Sequence, residues 1–204
     1  MSNDEYIDTL VSAWEDELVV CALGRSADGW WNATRSAECY YVEGAMGFAS
    51  SVGLGLALAI PEVNVWVLDS DGGLAMNLGG VLTEASLQPP NLVRIVLNNH
   101  GYQCLHGAEL VNATASDYAA VAKGAKMEYV FSAGTPAELR ECIEVCRDGK
   151  HHGFIVADVE SEEAGASDFQ PPPPLPFEGP EIKYRFGRYI EARLGRQVFG
   201  HQGV

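Results

Sequence analysis

The sequence predicts an α/β fold: a mostly parallel sheet with helices on both faces. Two observations carry that expectation. Short apolar or β-branched runs alternate with helical patterns over residues 1–160, which is the signature of βαβ units. Two of those runs end in polar, turn-forming words, Ser70-Asp71-Gly72-Gly73 and Asn98-Asn99. In a parallel sheet both strand ends open on one edge, where α/β folds bind their ligands.

The elements follow in chain order. Ile7, Leu10, Val11 and Trp14 recur at helical spacing, so residues 4–15 are expected to be a helix. Residues 18–23 read as a strand stopped by Gly24, and a helical or irregular piece through Trp30 and Trp31 leads to a short strand at 38–42. Residues 47–59 form a small-residue helix ended by Pro61, and 65–68 a buried strand. Residues 74–85 have helical composition, and 92–97 form the strand that ends at Asn98-Asn99. A helix at 117–124 has its start marked by Ser116; a strand follows at 128–131. Pro136 sits near the first turn of a helix at 136–147, and 154–159 is the last strand.

Past this α/β domain (1–160) the composition changes. Residues 161–180 are acidic and Gly/Ser-containing, then hold the prolines 171–174, an extended linker. Residues 181–204 supply a helix to 194, with Ile182, Phe186, Tyr189 and Ile190 on one stripe, and a tail. That stripe suits either packing on its own domain or docking on a partner chain.

Composition narrows the function. With 204 residues and 47% hydrophobic content the chain can bury one full core. A net charge of −15 repels a nucleic-acid backbone and an anionic membrane surface, so neither partner is expected. The start, MSNDEYID, is acidic and lacks the apolar core of a signal peptide; the apolar stretch 51–60 is too short and Gly-rich to span a bilayer. Five cysteines without a CxxC pair suit reduced thiols in a cytoplasm and argue against an iron–sulfur cluster. The histidines show no zinc spacing, and no Ser-His-Asp set is apparent.

Asp71 leaves the end of its strand, and Gly72 and Gly73 let the backbone approach a phosphate closely. The N–H groups of the next helix would face that phosphate. A carboxylate, an amide oxygen and a backbone carbonyl are hard ligands suited to Mg²⁺ carrying a diphosphate.

On these residues the chain resembles the thiamine-diphosphate-dependent enzymes, which pair Gly-Asp-Gly with Asn-Asn at a set distance. Here Ser70 replaces the first glycine, and the 25 residues at 73–97 fall within the family's range. NLVRIVLNNHGY and YYVEGAMGFASSVGLGLALA are similar to the diphosphate-binding half of 2-oxo acid decarboxylases, nearest to those acting on sulfopyruvate and phosphonopyruvate. The resemblance covers residues 15–160. It implies that Asp71, Asn99 and the Gly101 carbonyl hold Mg²⁺, with Ser70, Gly72, Gly73 and Tyr102 around the diphosphate and Asn98 bracing the loop. It makes Gly44-Ala45-Met46 a pyrimidine clamp in which Met46 is the apolar wedge that bends the cofactor. Gly24-Arg25-Ser26 matches a second cofactor-contacting loop, where Arg25 could neutralise a phosphate or a substrate acid group. His100, Gln103 and His106 fall where relatives place substrate-facing, proton-transferring groups.

In the family a glutamate from a separate pyrimidine-binding domain activates the cofactor, and 204 residues leave no room for that domain. The resemblance therefore implies the diphosphate-binding subunit of a two-subunit 2-oxo acid decarboxylase, a heterotetramer with two copies of each chain. Such an enzyme releases CO₂ and an aldehyde from a small 2-oxo acid. The alternatives are a subunit of a carboligase resembling acetolactate synthase and a catalytically silent cofactor-binding subunit.

Overall fold

A computed structural model of the chain describes residues 1–102, 105, 108–113, 115–161 and 173–200. Gln103, His106 and the first prolines of the 171–174 run lie outside the described residues.

Helix α1 (Asn3–Ala13) begins on a capping box, with Ser2 and Glu5 each accepting the other's backbone N–H. Strand β1 (Leu18–Cys21), helix α2 (Arg25–Thr34), strand β2 (Tyr40–Tyr41), helix α3 (Ala49–Ala59) and strand β3 (Val65–Ser70) follow. Then come α4 (Asp71–Met76), α5 (Gly80–Leu87), β4 (Leu92–Asn98) and an antiparallel hairpin of β5 (Gly101–Tyr102) and β6 (Ala108–Glu109). Helix α6 (Tyr118–Gly124), strand β7 (Tyr129–Ala133), helix α7 (Pro136–Gly149), strand β8 (Gly153–Asp158) and helix α8 (Gly179–Leu194) complete the order.

Six strands form one parallel sheet in the order β2-β1-β3-β4-β8-β7. Strand residues alternate between two packed faces. Val19, Cys21, Trp66, Leu68, Ile95 and Ile155 meet α1, α2 and α7 on one face. On the other, Leu18, Val20, Val65 and Val67 meet α3 and α8, while Val96, Phe154 and Val156 meet α4 to α6. The α/β architecture with covered faces is therefore as the sequence predicts. Helix α3 comes unusually near β3, because a Cβ on Gly53 would collide with Val67 Cγ2.

Three local features differ from the sequence reading. The expected helix at 74–85 is two helices, and the first begins earlier, at Asp71. Asn77 breaks them apart: its amide donates to the Gly47 carbonyl at 2.9 Å, and Gly79 and Gly80 follow. The cap of α6 is Asp117, whose carboxylate accepts the Ala120 N–H at 2.8 Å, not Ser116. The β5–β6 hairpin falls where only a loop was foreseen. Helix α8 packs on its own sheet: Phe186 and Ile190 enter the core, and the Phe186 ring lies 5.5 Å from that of Tyr40. No helix among the described residues is long and apolar enough to cross a membrane.

Strand β1 is followed in the chain by β2 on one side of it and then by β3 on the other. The C-terminal ends of β1 and β3 therefore border the crevice where strand order reverses, the usual ligand position in such sheets.

Candidate functional site

Four segments converge on that crevice. Leu23 and Arg25 follow β1, Met46 comes from the loop before α3, Ser70 and Gly72 from the end of β3, and Leu97, Asn99, Gly101 and Tyr102 from β4 and beyond; all line one cleft. Ser70 caps α4, its Oγ accepting the Gly73 N–H at 3.1 Å. Asp71 is 1% exposed. Its Oδ1 accepts the Gly72 N–H at 2.7 Å and its Oδ2 the His100 N–H at 2.6 Å, so the end of β3 is tied to the loop after β4. Burial pushes the Asp71 carboxyl up to about 6, against the N–H groups of Gly72, His100 and Gly101, which favour its charged form.

Next to this carboxylate stands an unmet acceptor. Asn99 is buried, and among the described residues its Oδ1 has no hydrogen-bond partner; the same holds for Asn98 Oδ1. Leaving such an atom unpaired costs about 1–3 kcal/mol, so native structures seldom tolerate it. A carboxylate and an orphaned amide oxygen at adjoining strand ends fit a hard cation, whose charge would also favour the ionised Asp71. No group of three or more His, Cys, Asp or Glu among the described residues offers a competing metal site.

The predicted glycines are also fixed by their protein neighbours. A Cβ on Gly72 would lie 2.5 Å from Tyr102 Cε1, and one on Gly73 would lie 2.7 Å from Asp69 Oδ1. Both positions are closed to larger residues by protein neighbours, and both N–H groups already have acceptors on Asp71 and Ser70. Gly24, at φ +86°, turns the chain into α2. Ser26 is buried and donates to the Asp69 carbonyl at 3.2 Å, joining the β1 and β3 ends. Arg25 is half-buried in the cleft, and desolvation lowers its guanidinium, with Asp28 and Asp4 acting the other way. Gly44 and Gly47 adopt φ +68° and +87°, which orient Ala45 against the α3 cluster and Met46 into the cleft.

His100 contributes in an unforeseen way. Its backbone, at φ +63°, serves Asp71, while its ring places Nδ1 3.2 Å from the Ala113 carbonyl and Nε2 3.8 Å from Asp158. Asp158 in turn accepts from Asn98 Nδ2 at 2.6 Å. The ring thus reaches toward the end of β8. Sequence reasoning passed over Asp69 and Arg94, which sit beneath the cleft as a buried ion pair at 2.7 Å; two charged residues inside otherwise apolar strands were the available signal.

Comparison with known proteins gives the family. The family described as thiamine pyrophosphate enzyme, C-terminal TPP binding domain, matches residues 26–159. The sulfopyruvate decarboxylase subunit beta of Methanothermobacter thermautotrophicus is 42% identical over 119 residues, which are 58% of this chain and 63% of that protein. The protein of the same name from Methanococcus maripaludis is 26% identical over 187 residues, 92% of this chain and 96% of that one. Benzoylformate decarboxylase from Polynucleobacter necessarius superposes with a TM-score of 0.63 at 17% identity, over 76% of this chain and 32% of that chain, a likeness of fold alone. This chain thus spans less than two thirds of the first relative and about a third of the last. With the strand ends, the paired Asp71 and Asn99, and the match over residues 26–159 taken together, the chain belongs to the thiamine pyrophosphate enzymes, as their C-terminal TPP-binding domain.

Proposed function

We propose that this chain is the diphosphate-binding subunit of a two-subunit decarboxylase of 2-oxo acids, dependent on thiamine diphosphate and Mg²⁺ and releasing CO₂ and an aldehyde. The observation that carries the reading is the unpartnered Asn99 Oδ1 at the strand end beside the one that bears Asp71. Asp71, Asn99 and the Gly101 carbonyl would hold the metal. Bound thiamine diphosphate supplies the electron sink that lets a 2-oxo acid lose CO₂. Met46 presses an apolar side chain into the cleft from one wall, and Arg25 brings a cation to another. His100 holds Asp71 in place through its backbone, and the proton-transfer role remains assigned to His100, Gln103 and His106 as a group. A sulfonate on the substrate's third carbon is the substrate class that the relatives' names support.

A partner subunit is supported by those names, each a subunit beta, and by an apolar surface beside the site. Phe48, Met76, Leu78 and Leu82 are exposed around the crevice between α3 and α5. We read the assembly as a heterotetramer with two copies of each chain. Four buried free thiols, Cys21, Cys39, Cys142 and Cys146, support a reducing, cytoplasmic setting.

The test is to co-purify the chain with its partner and screen sulfopyruvate and phosphonopyruvate for CO₂ release. Turnover should require both thiamine diphosphate and Mg²⁺ and be lost in Asp71→Ala, with Asn99→Ala weakened less because it removes a neutral ligand. Turnover that persists in Asp71→Ala would overturn the assignment.

A further inference from the structure

Beneath the cleft runs a chain of four buried polar side chains that the proposed chemistry leaves unused. Arg94, in the middle of β4, donates through Nε at 3.1 Å and Nη2 at 2.7 Å to Asp69 Oδ2. Its Nη1 donates to Glu84 Oε2 at 2.9 Å, and Glu84 Oε1 meets His152 Nε2 at 3.0 Å. None of the four is more than 4% exposed. Such a set is a poor source of stability, since apolar residues of similar size usually fold as well or better in place of a buried ion pair. Val67 and Val96 occupy the register positions paired with Arg94 and Asp69, so apolar packing was open to this sheet.

Asp69 does what an apolar residue could not. Its Oδ1 accepts the Ser70 N–H at 2.8 Å and lies 2.7 Å from the position a Cβ on Gly73 would take. One carboxylate therefore touches both ends of the 70–73 turn, and the planar fork of Arg94 fixes the direction of that carboxylate. Asp71 lies within that turn.

We propose that Asp69, held by Arg94, is a positioning residue that sets the path of the 70–73 turn and thereby aims Asp71 at the metal diphosphate. The metal-diphosphate half of this statement rests on the cofactor reading above; the turn-setting half does not.

The experiment uses the full chain, with hydrogen–deuterium exchange of the 70–73 amides and calorimetric titration with Mg²⁺ and thiamine diphosphate. The double variant Asp69→Asn, Arg94→Met removes the ion pair with little change in volume. Because it also takes the guanidinium away from the buried Glu84, it should melt below the wild type; residues 70–73 should exchange about tenfold faster relative to the other amides of β3 and β4, and the metal diphosphate should bind about tenfold more weakly, the scale of one lost hydrogen bond to a charged group. Arg94→Lys keeps the charge but loses the fork, and should show the same local acceleration to a smaller degree. A double variant with wild-type exchange and affinity overturns the proposal. So does acceleration spread evenly over β3 and β4 in Arg94→Lys, which would make the pair a support of the whole sheet; that variant decides the matter if the double one does not fold. Should wild-type protein bind no metal diphosphate while the variants still loosen 70–73, the turn-setting role stands and the cofactor reading falls.

Discussion

Asp71 is held at odds with its own charge. Burial raises its pKa from 3.8 to about 6, although three backbone N–H groups oppose the rise. A raised folded-state pKa means that folding favours the protonated form. The resulting stabilisation is complete below 3.8 and is lost as pH rises through about 6. The loss amounts to about 3 kcal/mol from the size of the shift, which for a chain of this length is about 6–12 °C in Tm. Asp71→Asn cannot ionise, so its Tm relative to wild type should climb between pH 4 and pH 7 by that amount. Melting curves across the range check it, and curves that stay parallel would show that Asp71 carries no such strain. At neutral pH, Mg²⁺ with thiamine diphosphate should close the gap by stabilising the wild type alone. A residue that weakens its own fold where it is expected to work marks a functional site more firmly than any packing feature here.

At the scale of elements, the site is positioned by how closely α3, α4 and the ends of β1, β3 and β4 approach one another. Two glycines of α3 separate close packing from helix propensity. Gly53 faces β3, and its substitution by Ala would drive a methyl group into Val67 Cγ2. Gly55, two residues on, has nothing within 4 Å of its Cβ position. Gly53→Ala should cost about 1–3 kcal/mol by overpacking, whereas Gly55→Ala should gain about 0.5–1 kcal/mol from helix propensity. Denaturant unfolding of both variants tests the pair, and effects of the same sign would mean that α3 rides higher on the sheet than the structure has it. The sequence foretold these elements where one physical cue dominates. The apolar runs of β3 and β4, the periodic face of α1 and the Pro136 start of α7 were legible for that reason. The break at Asn77 was not, because its cause is a hydrogen bond to Gly47, thirty residues away in the chain. Likewise Gly72 and Gly73 announced themselves as glycines, but what they make room for, the Tyr102 ring and the Asp69 carboxylate, is a tertiary fact. Asp71, Asn99 and Met46 could be read from their words and spacing; the turning of the His100 ring toward Ala113 could not.

For the whole molecule, the distribution of charge and apolar surface bears on assembly. The chain carries a net charge of −15, yet the crevice between α3 and α5 is lined mostly by uncharged residues, Phe48, Ser51, Leu54, Leu58, Thr83 and Leu87 among them, and the one carboxylate in its lining, Glu84, is buried and paired with Arg94. Leu82 on α5 is 66% exposed, with Phe48 at 55% and Met76 at 54%. Exposed apolar side chains gathered around one crevice mark a binding face, and a patch whose only charge is already paired is where a strongly acidic chain can be approached at least electrostatic cost. The face adjoins the 44–47 loop, so a partner seated there would also cover the cleft and exclude water from it. The chain alone is therefore expected to turn over no 2-oxo acid and to run at a larger size once its partner is supplied. Leu82→Arg tests the face directly. As a substitution at an exposed position it should change stability by no more than about 0.5 kcal/mol, leave the melting temperature and the Asp71 titration in place, and abolish co-elution with the partner together with decarboxylation. A Leu82→Arg chain that still co-elutes at wild-type stoichiometry would move the interface elsewhere, and a lone wild-type chain with turnover on the order of 1 s⁻¹ or more would remove the need for a partner altogether.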